Sequence, residues 1–335
     1  MKKPNIYISK PVPPEVLSYL EEHASCRMWD GTGTASRERL LSELESAEGL
    51  LMPGGGLIDR ELLDRAPNLR AVSSISVGYN HFDLDAMSER GVIGTHTPSV
   101  LDDTVADLVL ALMLSAARRI PELDAFVKRG EWQRGKGLAE DANFGSDVHH
   151  RTLGVIGMGR IGEAIAQRAV LGFGMKLHYY NRSRKPEAEE RYGAVYSSLE
   201  EVLSVSDFVV MMTPLTPETN RMIRKEHFAL MKPSAFFINA SRGQTVDEEA
   251  LVEALQTGVI RGAGLDVYDP EPPRGDHPLL KLPNVVTLPH IGSATHATRF
   301  DMAMLAARNL IGALQGDQQV HIVPELRHLA EGKPE

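Results

Sequence analysis

Hydrophobic positions along the chain fall in short, largely apolar runs of strand length: NIYIS (5–9), GLLMP (49–53), RAVSSIS (70–76) and VIGTH (92–96). The segments after the first three, PPEVLSYLEEH, RELLDRA and DLDAMSERG, repeat their apolar residues at helical spacing. Strands spaced by amphipathic helices predict parallel α/β layers. A second set of the same kind starts at TLGVIG (152–157) and runs through KLHYY, DFVVMMT, AFFINAS and GAGLDV to NVVTLPH (284–290). Two longer helical patterns stand at the crossings between the sets. DDTVADLVLALMLSAARRI (102–120) opens on acids, as a helix N-terminus prefers, and HATRFDMAMLAARNLIGAL (296–314) follows the last strand. The fold class is therefore α/β: two Rossmann-like or flavodoxin-like domains with parallel sheets, linked by two long helices. The C-terminal segment is expected to return to the first unit, which makes the N-terminal domain discontinuous. The alternative is two consecutive domains split near residue 150.

Length agrees with two domains, since 335 residues exceed one ordinary core of roughly 100–200 residues. Hydrophobic content of 42% and charged content of 24% describe a soluble globular chain. A formal net charge of −9 argues against nucleic acid or an anionic membrane as the main partner. The longest apolar run, LVLALML (108–114), is far short of a membrane span, and MKKPNIYISKPVPPEV lacks the apolar core of a signal peptide. A lone cysteine, Cys26, rules out an internal disulfide framework and suits a reducing compartment, so a cytoplasmic location is expected.

Candidate chemistry begins at Gly157-Met158-Gly159-Arg160-Ile161-Gly162, between the apolar strand LGVI and the helical pattern EAIAQRAV. In that context the first glycine permits a tight turn, the second lets the backbone approach a pyrophosphate, and the third packs helix on strand. The helix N-terminus then offers free N–H groups to phosphate. A purely structural glycine turn is the competing reading. About twenty residues on, HYYNRSRK (178–185) ends the second strand at Tyr180 and puts Asn181 where such units usually carry a ribose-binding acid. A carboxylate there would repel a 2′-phosphate, whereas Arg182, Ser183 and Arg184 could hold one by charge-assisted hydrogen bonds. Lys185 reads as a solvated residue of the same turn. The preferred cofactor is thus NADP(H), with NAD(H) as the second carrier.

Three later motifs follow strands of the same unit, where an open parallel sheet places its ligands. In INASRGQTVDEEAL (238–251), Arg242 stands in a Ser-Arg-Gly turn, and a guanidinium there could grip a carboxylate in bidentate fashion. The competing reading is a surface arginine capping a turn. In GAGLDVYDPEPP (262–273), Asp266 ends a strand and Glu271 lies between two prolines. In LPHIGSATH (288–296), His290 precedes a glycine turn. Taken singly, His290 could as well be structural, but a histidine proton donor needs a positioned carboxylate, and Glu271 is the candidate. Adjacent His149 and His150 have no cysteine or carboxylate cluster around them and read as structural, so no metal site is expected. Ser241 has no visible nucleophilic partner. The loop MPGGG (52–56) could admit substrate close to the backbone or be a plain turn.

In order, GMGRIG, NASRGQTVDE, GLDVYDPEPP and LPHIGSATH resemble the motifs of the D-isomer-specific 2-hydroxyacid dehydrogenase family. SVGYNHFDLD (76–85) and DDTVADLVLALML extend the resemblance into the first half. DVHHRTLGVIGMGRIG and HIGSATHATR are similar to bacterial glyoxylate/hydroxypyruvate reductases of the 2-ketogluconate reductase type. The resemblance implies a substrate domain from both chain ends (1–102 and 288–335) around an NADP-binding domain (103–287), and a homodimer. It implies catalytic roles for Arg242, Glu271 and His290, with the backbone N–H groups of Val77 and Gly78, together with Arg242 and His290, binding a small 2-keto or 2-hydroxy acid. Asp266 would face the nicotinamide, and Thr104, Thr213, Pro214, Ala240 and Ser241 would line the cofactor. The segment 130–150 departs from the tryptophan-containing region that some members lend to a neighbour's site. Competing functions on the same fold are a nucleotide-sensing, corepressor-like protein and oxidation of phosphite.

Overall fold

A computed structural model describes residues 2–134, 141–317 and 319–331. Residues 135–140, the middle of the divergent 130–150 segment, lie outside the described part. The chain forms two compact units, one from residues 1–101 with 294–335 and the other from 102–293.

The first unit holds a five-stranded sheet of β1 (Asn5–Ile8), β2 (Ser25–Met28), β3 (Gly49–Pro53), β4 (Ala71–Ile75) and β5 (Ile93–Thr95). Its order is β2-β1-β3-β4-β5, with every pair parallel. That is the flavodoxin-like order. Ile6, Ile8, Leu50, Leu51, Ala71 and Val72 are buried in it, as strands covered on both faces require. Two of its helices start on aspartate caps: Asp59 accepts from the Leu62 N–H and Asp83 from the Ala86 N–H.

The long helix His296–Gln315, capped by Thr295, belongs to this unit and packs Ala303, Ala306, Ala307 and Leu310 into its core. Its buried Asn309 stitches three remote segments together. Asn309 Nδ2 donates to the His96 carbonyl at 2.8 Å, and its Oδ1 accepts from the His321 N–H at 3.2 Å. Residues around Ile322 then run antiparallel to β5 and cover that edge of the sheet.

The second unit holds seven parallel strands in the order β12-β11-β10-β9-β6-β7-β8. They are β6 (Thr152–Ile156), β7 (Lys176–Tyr180), β8 (Val195–Tyr196), β9 (Phe208–Met211), β10 (Phe236–Asn239), β11 (Gly262–Leu265) and β12 (Val285–Thr287). The strand order reverses at β6 and β9, the topological switch point at which such sheets bind ligands beyond their carboxyl ends. The helix Asp102–Ala117 opens this unit.

Two differences from the sequence reading stand out. Edge strand β2 carries no apolar run, because an edge strand half open to water needs none, and edge strand β8 is only two residues long, too short for a pattern to show. Residues 288–293, assigned by the resemblance to the substrate domain, stay with the second unit. The Leu288 N–H bonds to the Leu265 carbonyl, and Ile291 and Gly292 bond to Asp266.

Replacing Asn309 by Leu keeps the volume but leaves the His96 carbonyl and the His321 N–H without this partner. The expected cost is about 2 kcal/mol, since an unmatched buried polar group costs roughly 1–3 kcal/mol. Urea unfolding should show the first unit melting at lower denaturant; an unchanged transition would mean the stitch is unimportant.

Candidate active site

The carboxyl ends of β6, β7, β9, β10, β11 and β12 carry the sequence-selected residues of the second unit, Thr104 excepted. After β6, Gly157 has φ 105, and a Cβ there would lie 2.7 Å from the Met212 carbonyl and 2.9 Å from the Thr213 nitrogen. A Cβ on Gly162 would lie 2.5 Å from the Gly157 oxygen. These two positions exclude side chains for lack of room. Around Gly159 the opposite holds: no atom lies within 4 Å of the place a Cβ would take. Gly159 caps the helix Arg160–Phe173 without a side chain, so the first-turn N–H groups face that open space. Beside it, the Thr213 hydroxyl is buried and has no hydrogen-bond partner among the described residues. Both observations fit a dinucleotide whose phosphates lie on the helix end and whose polar edge meets Thr213. Arg160 Nε donates to Asp102 at 3.0 Å, which ties the phosphate loop to the start of the 102–117 helix; Thr104 lies two residues further along that helix.

After β7, the turn divides its cations between two tasks. Arg184 Nε donates to Glu189 at 3.1 Å, and its guanidinium lies 5.9 Å from the Tyr196 ring centroid. Arg184 therefore braces the turn itself. Arg182 is exposed and, among the described residues, forms no ion pair. Asn181 Nδ2 donates to the Ser183 carbonyl at 2.9 Å and shapes the tip. No acid occupies the end of β7.

Arg242 follows β10 in a turn built by a residue that the sequence reading missed. Buried Asn239 accepts from the Ser241 N–H at 3.0 Å and the Ser241 hydroxyl at 2.8 Å, and donates to the Arg242 carbonyl at 3.1 Å. The Ser241 hydroxyl is thereby committed to the turn. The usable signal was a polar residue ending the apolar strand AFFIN. The next residue, Gly243, packs so closely on Tyr268 that a Cβ would collide with its carbonyl, so the Arg242 turn and the segment leading to Glu271 interlock. Burial draws the Arg242 guanidinium below its ordinary value, with the Glu271 charge opposing.

Glu271 and His290 meet: His290 Nδ1 is hydrogen-bonded to Glu271 Oε1. Ring geometry then turns Nε2 away from the carboxylate. Burial alone would raise the Glu271 carboxyl. The His290 hydrogen bond and charge, the Tyr268 backbone and Arg242 outweigh it and hold Glu271 below the usual range. His290 adopts φ 53, the left-handed region. That costs about 1–2 kcal/mol for a side chain with a Cβ. Buried Asp266 compensates by accepting the Ile291 and Gly292 N–H groups, each at 2.8 Å. Two hydrogen bonds to a carboxylate contribute about 1.5–3 kcal/mol each, so the clasp prevails. Burial lifts the Asp266 carboxyl above its usual range against these donors.

Val77 and Gly78 belong to the first unit, at the turn after β4. Its carbonyls are pinned, Gly78 O by the Ser76 hydroxyl at 2.8 Å and Val77 O by His96 Nδ1 at 2.9 Å. His149 and His150 stack edge to face at 5.2 Å, away from any group of three or more potential metal ligands among the described residues.

The model for the NAD-binding domain of D-isomer-specific 2-hydroxyacid dehydrogenases matches residues 110–292. The chain belongs to that family. A Yersinia enterocolitica relative named glyoxylate/hydroxypyruvate reductase B is 52% identical over 314 residues, 94% of this chain and 95% of the relative. The crystal structure of a Thermus thermophilus protein is 43% identical, with a TM-score of 0.87, over 95% of this chain and 99% of that one. An NADPH-dependent glyoxylate/hydroxypyruvate reductase from Sinorhizobium meliloti, solved with NADP and malonate, is 32% identical with a TM-score of 0.85, covering 97% and 98% of the two chains. As a member of the D-isomer-specific 2-hydroxyacid dehydrogenase family, the protein is an NAD(P)-dependent oxidoreductase, and its second unit contains the matched nucleotide-binding domain.

Because the Glu271 value in the folded chain lies below the ordinary one, its pairing contributes stability that is complete above the ordinary glutamate range. That stability is lost as pH falls through the lowered value. Carboxyl-carbon NMR should place the Glu271 midpoint below that of a free glutamate, and His290→Gln should move it up. Equal midpoints in the two proteins would show that the pair does not form in solution.

Proposed function

We propose that this dehydrogenase reduces small 2-keto acids, glyoxylate and hydroxypyruvate foremost, to D-2-hydroxy acids with NADPH. 2-Ketogluconate is a larger substrate of the same class, and NAD(H) is the second carrier. The observation that carries the reading is the hydrogen bond of Glu271 to His290 Nδ1, on the sheet end that also presents Arg242. An imidazole so oriented has Nε2 turned away from the carboxylate and able to act as an acid. The names of the Yersinia and Sinorhizobium relatives support the substrate class, and the NADP and malonate bound to the latter agree with a site for a nucleotide and a carboxylate.

When bound, the reduced nicotinamide supplies the hydride to the keto carbon. Arg242 binds the substrate carboxylate and stabilises the charge that grows on the carbonyl oxygen. The backbone N–H groups of Val77 and Gly78 are assigned to the same carboxylate. Glu271 steadies the His290 imidazolium, which delivers its Nε2 proton to the oxygen as alkoxide character develops; the neutral ring then takes a proton from solvent before the next turnover. Asp266 keeps the His290 ring in place and faces the nicotinamide. Thr104, Thr213, Pro214, Ala240 and Ser241 line the cofactor, and Gly157 to Gly162 hold its pyrophosphate. Asn181, Arg182 and Ser183 receive the 2′-phosphate, with Arg182 as the charge. The first unit is read as the substrate domain.

Assembly as a homodimer is the second part of the proposal. The helix Ile120–Lys128 is amphipathic yet buries none of its residues, and Ile120 and Val127 are 49% and 51% exposed. An apolar stripe of that kind suits a second copy of the chain. A cytoplasmic setting agrees with the single thiol, Cys26, pushed up to about 11 by burial and so unreactive.

Two measurements test these readings. In steady-state assays with glyoxylate, His290→Ala should lower kcat by about 100-fold or more with little change in NADPH affinity. In the same assays Arg182→Ala should raise KM for NADPH and leave KM for NADH unchanged; equal effects on both carriers would remove the 2′-phosphate assignment. In analytical ultracentrifugation, Ile120→Glu with Val127→Glu should turn a dimer into a monomer, and a monomeric wild-type protein would end the dimer reading.

A further inference from the structure

Glu271 lies on irregular backbone between β11 and the 3₁₀ turn Pro278–Lys281. Something must fix that backbone if the carboxylate is to stay against His290. The structure shows a chain of polar contacts at its two ends. Gln244, two residues beyond Arg242, donates from Nε2 to Asp269 Oδ1 at 3.2 Å. The Asp269 N–H donates to Glu248 Oε1 at 3.4 Å. The other carboxylate oxygen, Glu248 Oε2, lies 3.2 Å from His277 Nε2. On the far side of that ring, Nδ1 accepts the Leu279 N–H at 3.3 Å. An Nδ1 that accepts leaves Nε2 as the N–H that donates to Glu248, so the ring is a one-way connector. The Glu248 and His277 side chains are only 14% and 18% exposed, a setting in which water competes poorly for these bonds.

We propose that Glu248 and His277 are positioning residues of the reaction: together they clamp both ends of the Glu271 loop and so hold its carboxylate at the His290 ring. Neither is assigned a contact with substrate or cofactor. Glu248 is anchored at the start of the helix Glu248–Gln256, which is capped by Asp247, so the clamp refers the loop to a rigid element. The inference rests on the reading of Glu271 as the partner that steadies the imidazolium.

Two substitutions at one position separate positioning from plain turn stability. Asn at 277 retains an oxygen where Nδ1 accepts from Leu279 but is too short to reach Glu248. Gln at 277 reaches Glu248 with an amide donor but lacks the Nδ1 acceptor. H277N should lower kcat with glyoxylate about tenfold while KM for NADPH stays within about twofold, and H277Q should stay within about twofold of wild type, as misplacement of a supporting group acts on the chemical step. Carboxyl-carbon NMR without cofactor should show the Glu271 midpoint rising toward an ordinary glutamate in H277N and unmoved in H277Q. The reverse order, equal loss in both, or no change in either overturns the clamp. E271Q is the control: if it keeps wild-type kcat, the role given to Glu271 fails, and the NMR comparison still decides whether the clamp positions the carboxylate.

Discussion

The N–H groups of Ile291 and Gly292 converge on the carboxyl of Asp266, and the arrangement of the site depends on that convergence. Asp266 is buried at the end of β11, where parallel pairing to β10 and β12 fixes its position. The backbone it holds must turn sharply, and His290 takes the left-handed conformation as a result. The backbone that carries the imidazole is thus held by main-chain N–H groups bonded to a carboxyl at the end of a neighbouring strand. Once the ring is so directed, Glu271 completes the pair, and the ion-pair field holds that carboxyl in its ionised form. Favourable contacts elsewhere in the chain could not replace this clasp, because they do not act on the backbone at residue 290, where the conformational cost arises.

Around the clasp, the parallel sheet supplies the geometry. Every strand of the second unit points the same way, so the residues after six of them gather at one sheet end without long loops to bring them there. Close backbone approaches do the rest. Gly157 meets the residues after β9, and Gly243 meets Tyr268, so that the phosphate loop and the Arg242 turn are each locked to a neighbour by the lack of a side chain.

Much of this was legible in the sequence, for identifiable reasons. Buried parallel strands advertise themselves as apolar runs, which is why the alternation of layers could be read, while β2 and β8 at the edges could not. Glycine spacing exposed the phosphate loop because the constraint there is local. The motif order pointed to the family, which the comparisons establish. What escaped reading was the support for the motifs. Glu248 reaches the Asp269 N–H and the His277 ring, partners remote in the chain, while Asn239 bonds within its own turn, and no periodicity marks any of these. The pairing of Arg184 with Glu189 was not legible either, because charge alone does not name its partner.

That last pairing bears on any attempt to re-engineer nucleotide preference. Five cationic and polar residues in a row after β7 invite wholesale replacement, yet the guanidinium at 184 braces the turn between the strand end and the helix Pro186–Tyr192 through Glu189 and the Tyr196 face. A designer who swaps the whole cluster would strip a mostly covered carboxylate of its counter-ion and loosen the platform that the new specificity must stand on. Recoding should be confined to the three positions at the tip.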